Sequence, residues 1–220
     1  VACNPVVLAY SLISKNDATL YVLDGVIDKK MQDILKEDGI IVKAYNDIYE
    51  DVKSLQGKVL LDDLLVNYQI CSNLNCKIVK MTNPTQYFKA IKNETEINAT
   101  KNAHLKDGVA MTKFMYWLKT NVGKIDLDEV IISDKLEEFR KEQADFYDLS
   151  FDTICGYKEN AALMHYKALP EKCAKVTNKG MLLIDSGGQY IDGTIDTTRT
   201  FVLGKISDIE RRDFTIALKA

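Results

Sequence analysis

The run from Met181 to Val202 constrains this chain more than any other stretch. Asp185 and Asp196 stand eleven residues apart in it, and each follows β-forming residues. The Gly187–Gly188 doublet between them lets the backbone bend. The run predicts two neighbouring strands joined by a connection, an arrangement able to bring two carboxylates side by side. Adjacent ionised carboxylates repel unless a positive charge lies between them, and one or two divalent metal ions are the common answer. Asp after an apolar run, or beside Gly, is also an ordinary strand-end or turn residue. Spacing alone leaves both readings open.

A chain of 220 residues forms one large domain or two modest ones. Hydrophobic residues make up 46% and charged residues 28%, a balance that supports a buried core and excludes a disordered chain. The net charge is −3 and no Lys/Arg-rich block occurs, so nucleic-acid binding has no electrostatic support. Apolar runs are short and broken by charge, so no membrane-spanning helix is expected. The start lacks the basic-then-apolar pattern of a signal peptide. It also lacks Met, which points to a native N-terminus upstream. Cys3, Cys71, Cys76, Cys155 and Cys173 are odd in number, irregularly spaced and free of any CxxC. They are expected to be free thiols in a reducing compartment.

Strands are expected over 6–13, 19–23, 40–42, 58–61 and 77–81, alternating with helices over 28–38 and 46–55. That alternation makes a small α/β domain over residues 1–85, ended by the break Asn83-Pro84-Thr85. A long helix follows over 93–121, its apolar stripe formed by Leu105, Val109, Met115, Tyr116 and Leu118. Gly123 ends it. Asp126 and Glu129 have the spacing of a capping box for a second helix that runs to about residue 144. Beyond it, residues 150–154, 161–166, 179–185 and 195–203 read as strands. Ser207 and Glu210 open a last helix.

Few other residues invite chemistry. His104 lies within the long helix, where a solvated or packed imidazole is the ordinary outcome. His165 ends an apolar run after the flexible segment 156–160, where an imidazole can move a proton or donate a hydrogen bond near neutral pH. From the residues alone a structural role is the more ordinary outcome for it. Arg199 can orient a carboxylate or lie on a strand surface. Tyr190 can pack or hydrogen-bond at the turn. Ser186 lacks a G-x-S-x-G elbow, and no Walker A or G-x-G-x-x-G sequence occurs.

Four segments, taken together and in order, resemble the aminopeptidase P (Xaa-Pro aminopeptidase) family of pita-bread metallopeptidases. They are Ala103–Ala110, Lys135–Phe146 with Leu149–Phe151, Ala161–Tyr166 and Asp185–Thr200. The likeness extends to Asn4–Val6, so it covers nearly the whole chain, and it is nearest the three-domain cytosolic eukaryotic type. It implies an α/β (α+β) chain: a small creatinase-N-terminal-like domain over 1–85, incomplete at its start, then the first half of a pita-bread catalytic domain over 86–220.

The resemblance further implies two divalent metal ions, usually manganese, with Asp185 and Asp196 as the first two ligands. It assigns His165 to assisting near the substrate without binding metal. The implied reaction removes the residue before a proline in second position of a peptide. A cytoplasmic homodimer is the implied setting for the parent protein. The family also needs one further His and two Glu as ligands, and these fall beyond Ala220. The isolated 220 residues are therefore expected to be an inactive internal fragment. A metal-free protein-binding relative and a prolidase-type dipeptidase are the alternatives. The intact Asp185, Asp196 and His165 argue against the first, and the segment Gly187–Tyr190 against the second.

Overall fold

Short β-forming runs separated by turn residues shape the first third of the chain. The computed structural model describes residues 2–220. Strands β1 (Ala9–Ile13), β2 (Ala18–Val22) and β3 (Ile40–Ala44) form one sheet, with β1 antiparallel and β3 parallel to β2. Helix α1 (Lys29–Glu37) makes the crossover that a parallel pair needs. Its N-cap Asp28 accepts a hydrogen bond from the Met31 amide at 2.7 Å. Helix α2 covers only Ile48–Asp51, flanked by 3₁₀ turns. The single helix expected over 46–55 is therefore three short pieces. Strands β4 (Lys58–Leu61) and β5 (Lys77–Lys80) pair in parallel across α3 (Tyr68–Asn73), a helix the sequence pattern did not reveal. Tyr21, Ile48, Val52 and Ile70 form the core of this unit.

The segment Asn83-Pro84-Thr85 starts a helix instead of breaking the chain. Asn83 caps α4 (Pro84–Ala90) by accepting from the Thr85 amide at 3.0 Å. Pro84 takes the first helical position, where its missing N–H costs nothing. Two units divide after α4, between Lys92 and Asn93, with residues 2–5 grouped with the second.

The second unit is organised by α5 (Glu94–Asn121), opened by a full capping box between Asn93 and Glu96. Its buried face is Ala103, Asp107, Ala110, Met111, Phe114 and Leu118. Of the stripe expected from sequence, Leu118 lies on that face and Met115 packs against the core part-buried. Leu105 and Tyr116 are 68% and 75% exposed. A helix this rich in scattered apolar residues offers several stripes, and packing selects one.

Then come β6 (Leu127–Asp128), α6 (Glu129–Lys141), β7 (Phe146–Leu149), β8 (Ile154–Tyr157), β9 (Lys175–Val176), β10 (Met181–Ser186), β11 (Gly188–Tyr190), β12 (Gly193–Thr194), β13 (Thr197–Val202) and α7 (Asp208–Lys219). One antiparallel sheet has the order β13-β10-β8, a second β12-β11-β7, and β6 pairs with β9. Phe114, Leu118, Leu182, Ile184 and Phe201 are central to the core between α5 and the β10 sheet.

Three expectations need correction here. The N-cap of α6 is Asp128, which accepts from the Ile131 amide at 2.9 Å, not Asp126. Residues 150–154 mostly link two strands instead of forming one. The strand expected over 161–166 is a 3₁₀ turn, Lys158–Ala162, followed by turns. Backbone groups there close local turns, Leu163 N to Asn160 O and Tyr166 N to Leu163 O, instead of a ladder.

Candidate metal centre

Asp185 is the penultimate residue of β10, opposite Thr198 of β13 on one side and Ile154 of β8 on the other. Leu182, Ile184 and Ser186 point into the core, so Met181, Leu183 and Asp185 occupy the opposite, partly open face. The same alternation on β13 buries Phe201 and places Thr198 and Thr200 on the face of Asp185. Asp196, just before β13 and exposed, shares their parity. By this alternation Asp185 and Asp196 share a face at one end of the β10–β13 pair.

Residues 187–196 connect the two strands. After Ser186 the chain leaves the β10 sheet, builds the β11–β12 hairpin in the neighbouring sheet and returns. The crossing is tight at Gly187. A Cβ there would lie 1.8 Å from the Ile195 carbonyl oxygen and 2.2 Å from Ser150 Oγ. Ser150 Oγ donates to that same carbonyl at 2.7 Å. Only glycine fits between these groups.

Helix α5 docks the hairpin. Tyr190 donates its hydroxyl to Asp107 Oδ1 at 3.1 Å and stacks edge-on against Phe146. Asp107 also accepts from Arg140 Nε at 2.7 Å and Nη2 at 3.2 Å, with the two side chains 4% and 0% exposed. Burial, then the Asp107 carboxylate, pushes the Tyr190 phenol well above its usual range, so it remains a donor. Lys106 binds Asp145 at 2.7 Å and Asp192 at 2.6 Å, fastening the hairpin tip.

Asp185 Oδ1 is buried and has no hydrogen-bond partner among the described residues. An orphaned carboxylate oxygen costs about 1–3 kcal/mol or more, and a bound cation removes that cost. The Asp185 oxygen is thus one that a hard divalent ion would suit. Among the described residues no group of three or more His, Cys, Asp or Glu could hold a metal ion. Arg199 is exposed and binds Thr197 Oγ1 and the Thr198 carbonyl, not a carboxylate. Ser186 is fully buried, as suits a core-facing strand residue.

His165 stands in a turn with φ +53° and is exposed. Its neighbours are anchored by Glu129, whose role sequence reasoning missed because the spacing from Asp126 resembled a capping box. Asp107 and Arg140 were missed too. The available signal was a carboxylate on the same helical face as Ala103, Ala110 and Phe114.

Residues 1–96 match the model of the Creatinase/Prolidase N-terminal domain, and residues 98–220 match that of Metallopeptidase family M24. The chain belongs to metallopeptidase family M24. The expected α/β architecture, a creatinase-like domain before a pita-bread region, holds for this M24 chain. It is 36% identical over 234 residues to a probable Xaa-Pro aminopeptidase P of Neurospora crassa, spanning 100% of this chain and 34% of that one. A probable Xaa-Pro aminopeptidase P of Sclerotinia sclerotiorum is 35% identical, with 98% and 38% covered. The M24 chain thus spans about a third of the length of the curated relatives it matches.

Among solved structures, an X-prolyl aminopeptidase from Caenorhabditis elegans superimposes with a TM-score of 0.86 at 25% identity, over 95% of this chain and 36% of that one. That protein is described as a cytosolic enzyme with a di-nuclear active site. A prolidase from Pyrococcus furiosus shares the fold, with a TM-score of 0.72 at 20% identity, over 96% of this chain and 60% of that one. Among the described residues no helix of the M24 chain is long and apolar enough to cross a membrane.

Proposed function

We propose that this chain is part of a metal-dependent Xaa-Pro aminopeptidase that removes the first residue from peptides with proline in second position. The observation that carries the reading is the buried Asp185 Oδ1, without a donor among the described residues, inside the M24 region, with Asp196 just before the neighbouring strand. Relatives named as Xaa-Pro aminopeptidases support the substrate class.

Two divalent ions, manganese in the first instance, would supply a Lewis acid and an activated water when bound. Asp185 and Asp196 would hold them, the buried Asp185 oxygen having no competing donor among the described residues. His165, exposed on its turn, would donate a hydrogen bond to a bound peptide. The substrate bond precedes proline, whose nitrogen carries no hydrogen, so general peptidases that require an N–H there do not compete. The working protein is a cytosolic homodimer. The 220 residues alone, with an incomplete ligand set, bind metal weakly and do not turn over peptide.

The test uses the longest polypeptide that carries this chain. Asp185→Asn and Asp196→Asn should each lower bound manganese, measured by elemental analysis, and abolish cleavage of an Xaa-Pro-Xaa peptide. Full activity with either variant sinks the proposal. Comparing Xaa-Pro dipeptides with longer peptides separates it from a prolidase.

A further inference from the structure

Glu129 is the first residue of α6 and is 0% exposed. No cation pairs with it among the described residues. Its charge is met by donors from four places in the chain. Oε1 accepts from the Tyr157 amide at 2.7 Å and Asn160 Nδ2 at 2.9 Å. Oε2 accepts from the Tyr166 hydroxyl at 2.7 Å and the Ala174 amide at 2.8 Å. The N-terminus of α6 adds a partial positive charge. Burying a carboxylate costs several kcal/mol, and apolar packing would fill the same space more cheaply. So the group is tied to something that needs fixed geometry.

Those donors bracket His165. Tyr157 ends β8, beside Asp185-bearing β10, and Asn160 lies in the turn before the histidine. Tyr166 follows it directly, and Ala174 closes the excursion just before β9. Asn160 Nδ2 also reaches the Tyr166 hydroxyl at 3.1 Å. Two successive turns, Leu163 N to Asn160 O and Tyr166 N to Leu163 O, both 3.2 Å, carry the chain around. His165 itself has φ +53°, an uncommon conformation for a residue other than glycine. On its other side Met164 is 90% exposed and anchors nothing. The place of the imidazole is therefore set through Tyr166.

We infer that Glu129 is a positioning residue for His165, acting through the Tyr166 hydroxyl. The inference rests on the role given to His165 above. The Tyr166 phenol is pushed up to about 12, chiefly by burial and then by its bond to Glu129, so it stays a donor at every working pH.

The experiment uses the longest polypeptide carrying this chain, loaded with manganese, and an Xaa-Pro-Xaa peptide. Tyr166→Phe removes one hydroxyl from a half-buried site and is the gentle variant; Glu129→Gln is the stronger one and is the variant at risk of misfolding. Tyr166→Phe should lower kcat roughly tenfold with KM and bound manganese unchanged. In Tyr166→Phe/His165→Ala the loss should equal that of His165→Ala alone, because a residue acting through another adds nothing once that other is gone. With ¹³C-labelled histidine in the metal-free protein, the His165 resonance, assigned by its loss in His165→Ala, should broaden or split in Tyr166→Phe. An unchanged resonance with wild-type kcat overturns the inference while leaving His165 catalytic. Losses that multiply in the double variant overturn it too, as they mark a general structural role. Wild-type kcat in His165→Ala overturns the reading of His165 itself, and the inference with it.

Discussion

Replacing Asp107 by Ala tests how the second unit is held. Arg140 and Asp107 are 0% and 4% exposed, joined by two hydrogen bonds of 2.7 and 3.2 Å, with Tyr190 as third partner at 3.1 Å. Removing the carboxylate leaves a guanidinium buried without a counter-charge, a change that costs about 3–5 kcal/mol. Losing the Tyr190 partner adds about 1 kcal/mol. Arg140 Nη1 already lacks a partner, so no spare bond takes up the charge. Against a typical stability of about 5–15 kcal/mol the variant should be close to unfolding. The apolar triple variant Asp107→Leu/Arg140→Met/Tyr190→Phe removes all three partners together and should recover at least about 2 kcal/mol of the loss. Urea unfolding followed by Trp117 fluorescence measures both, since this single tryptophan packs against the core that α5 covers. A loss under about 1 kcal/mol for Asp107→Ala, or a triple variant no better than the single, refutes the reasoning.

Three further outcomes are expected. Gly187→Ala should cost at least about 3 kcal/mol, because the new Cβ meets the Ile195 carbonyl at 1.8 Å and backbone must move; denaturant midpoints report it. Asp128→Ala should cost about 1 kcal/mol through loss of the α6 cap, and a wild-type midpoint would show the cap is replaceable. Lys43 and then Tyr21, bound to Asp51 at 2.6 and 2.8 Å, hold its carboxyl below the ordinary value of 3.8. A depressed folded pKa gives stability that is present above the unfolded value and lost as pH falls through the folded one. Asp51→Asn should therefore flatten the acid limb of the stability–pH curve below about pH 4, where an unchanged limb would contradict the assignment.

Much of this was legible in residue order because it is local. Alternation in Met181–Ser186 and Thr197–Val202 sets which side chains share a face, so the strand pair itself was legible in residue order. The Ser207 capping box is satisfied within four residues and formed as expected. The Asn83–Pro84 pair is equally local, yet it reads as a break or as a helix start until its neighbours are known.

What only the tertiary structure decided is where charges could be buried. Asp107, Arg140 and Tyr190 meet across separations of 33 and 83 residues, and Glu129 gathers donors from up to 45 residues away. No periodicity encodes such meetings. They depend on which helical stripe faces the sheet, and α5 carried more than one candidate. The sequence by itself therefore determined the fold class, through short-range alternation and capping. The anchoring of the hairpin and of the His165 turn was decided by long-range packing, because a buried charge is stable only where distant donors converge on it.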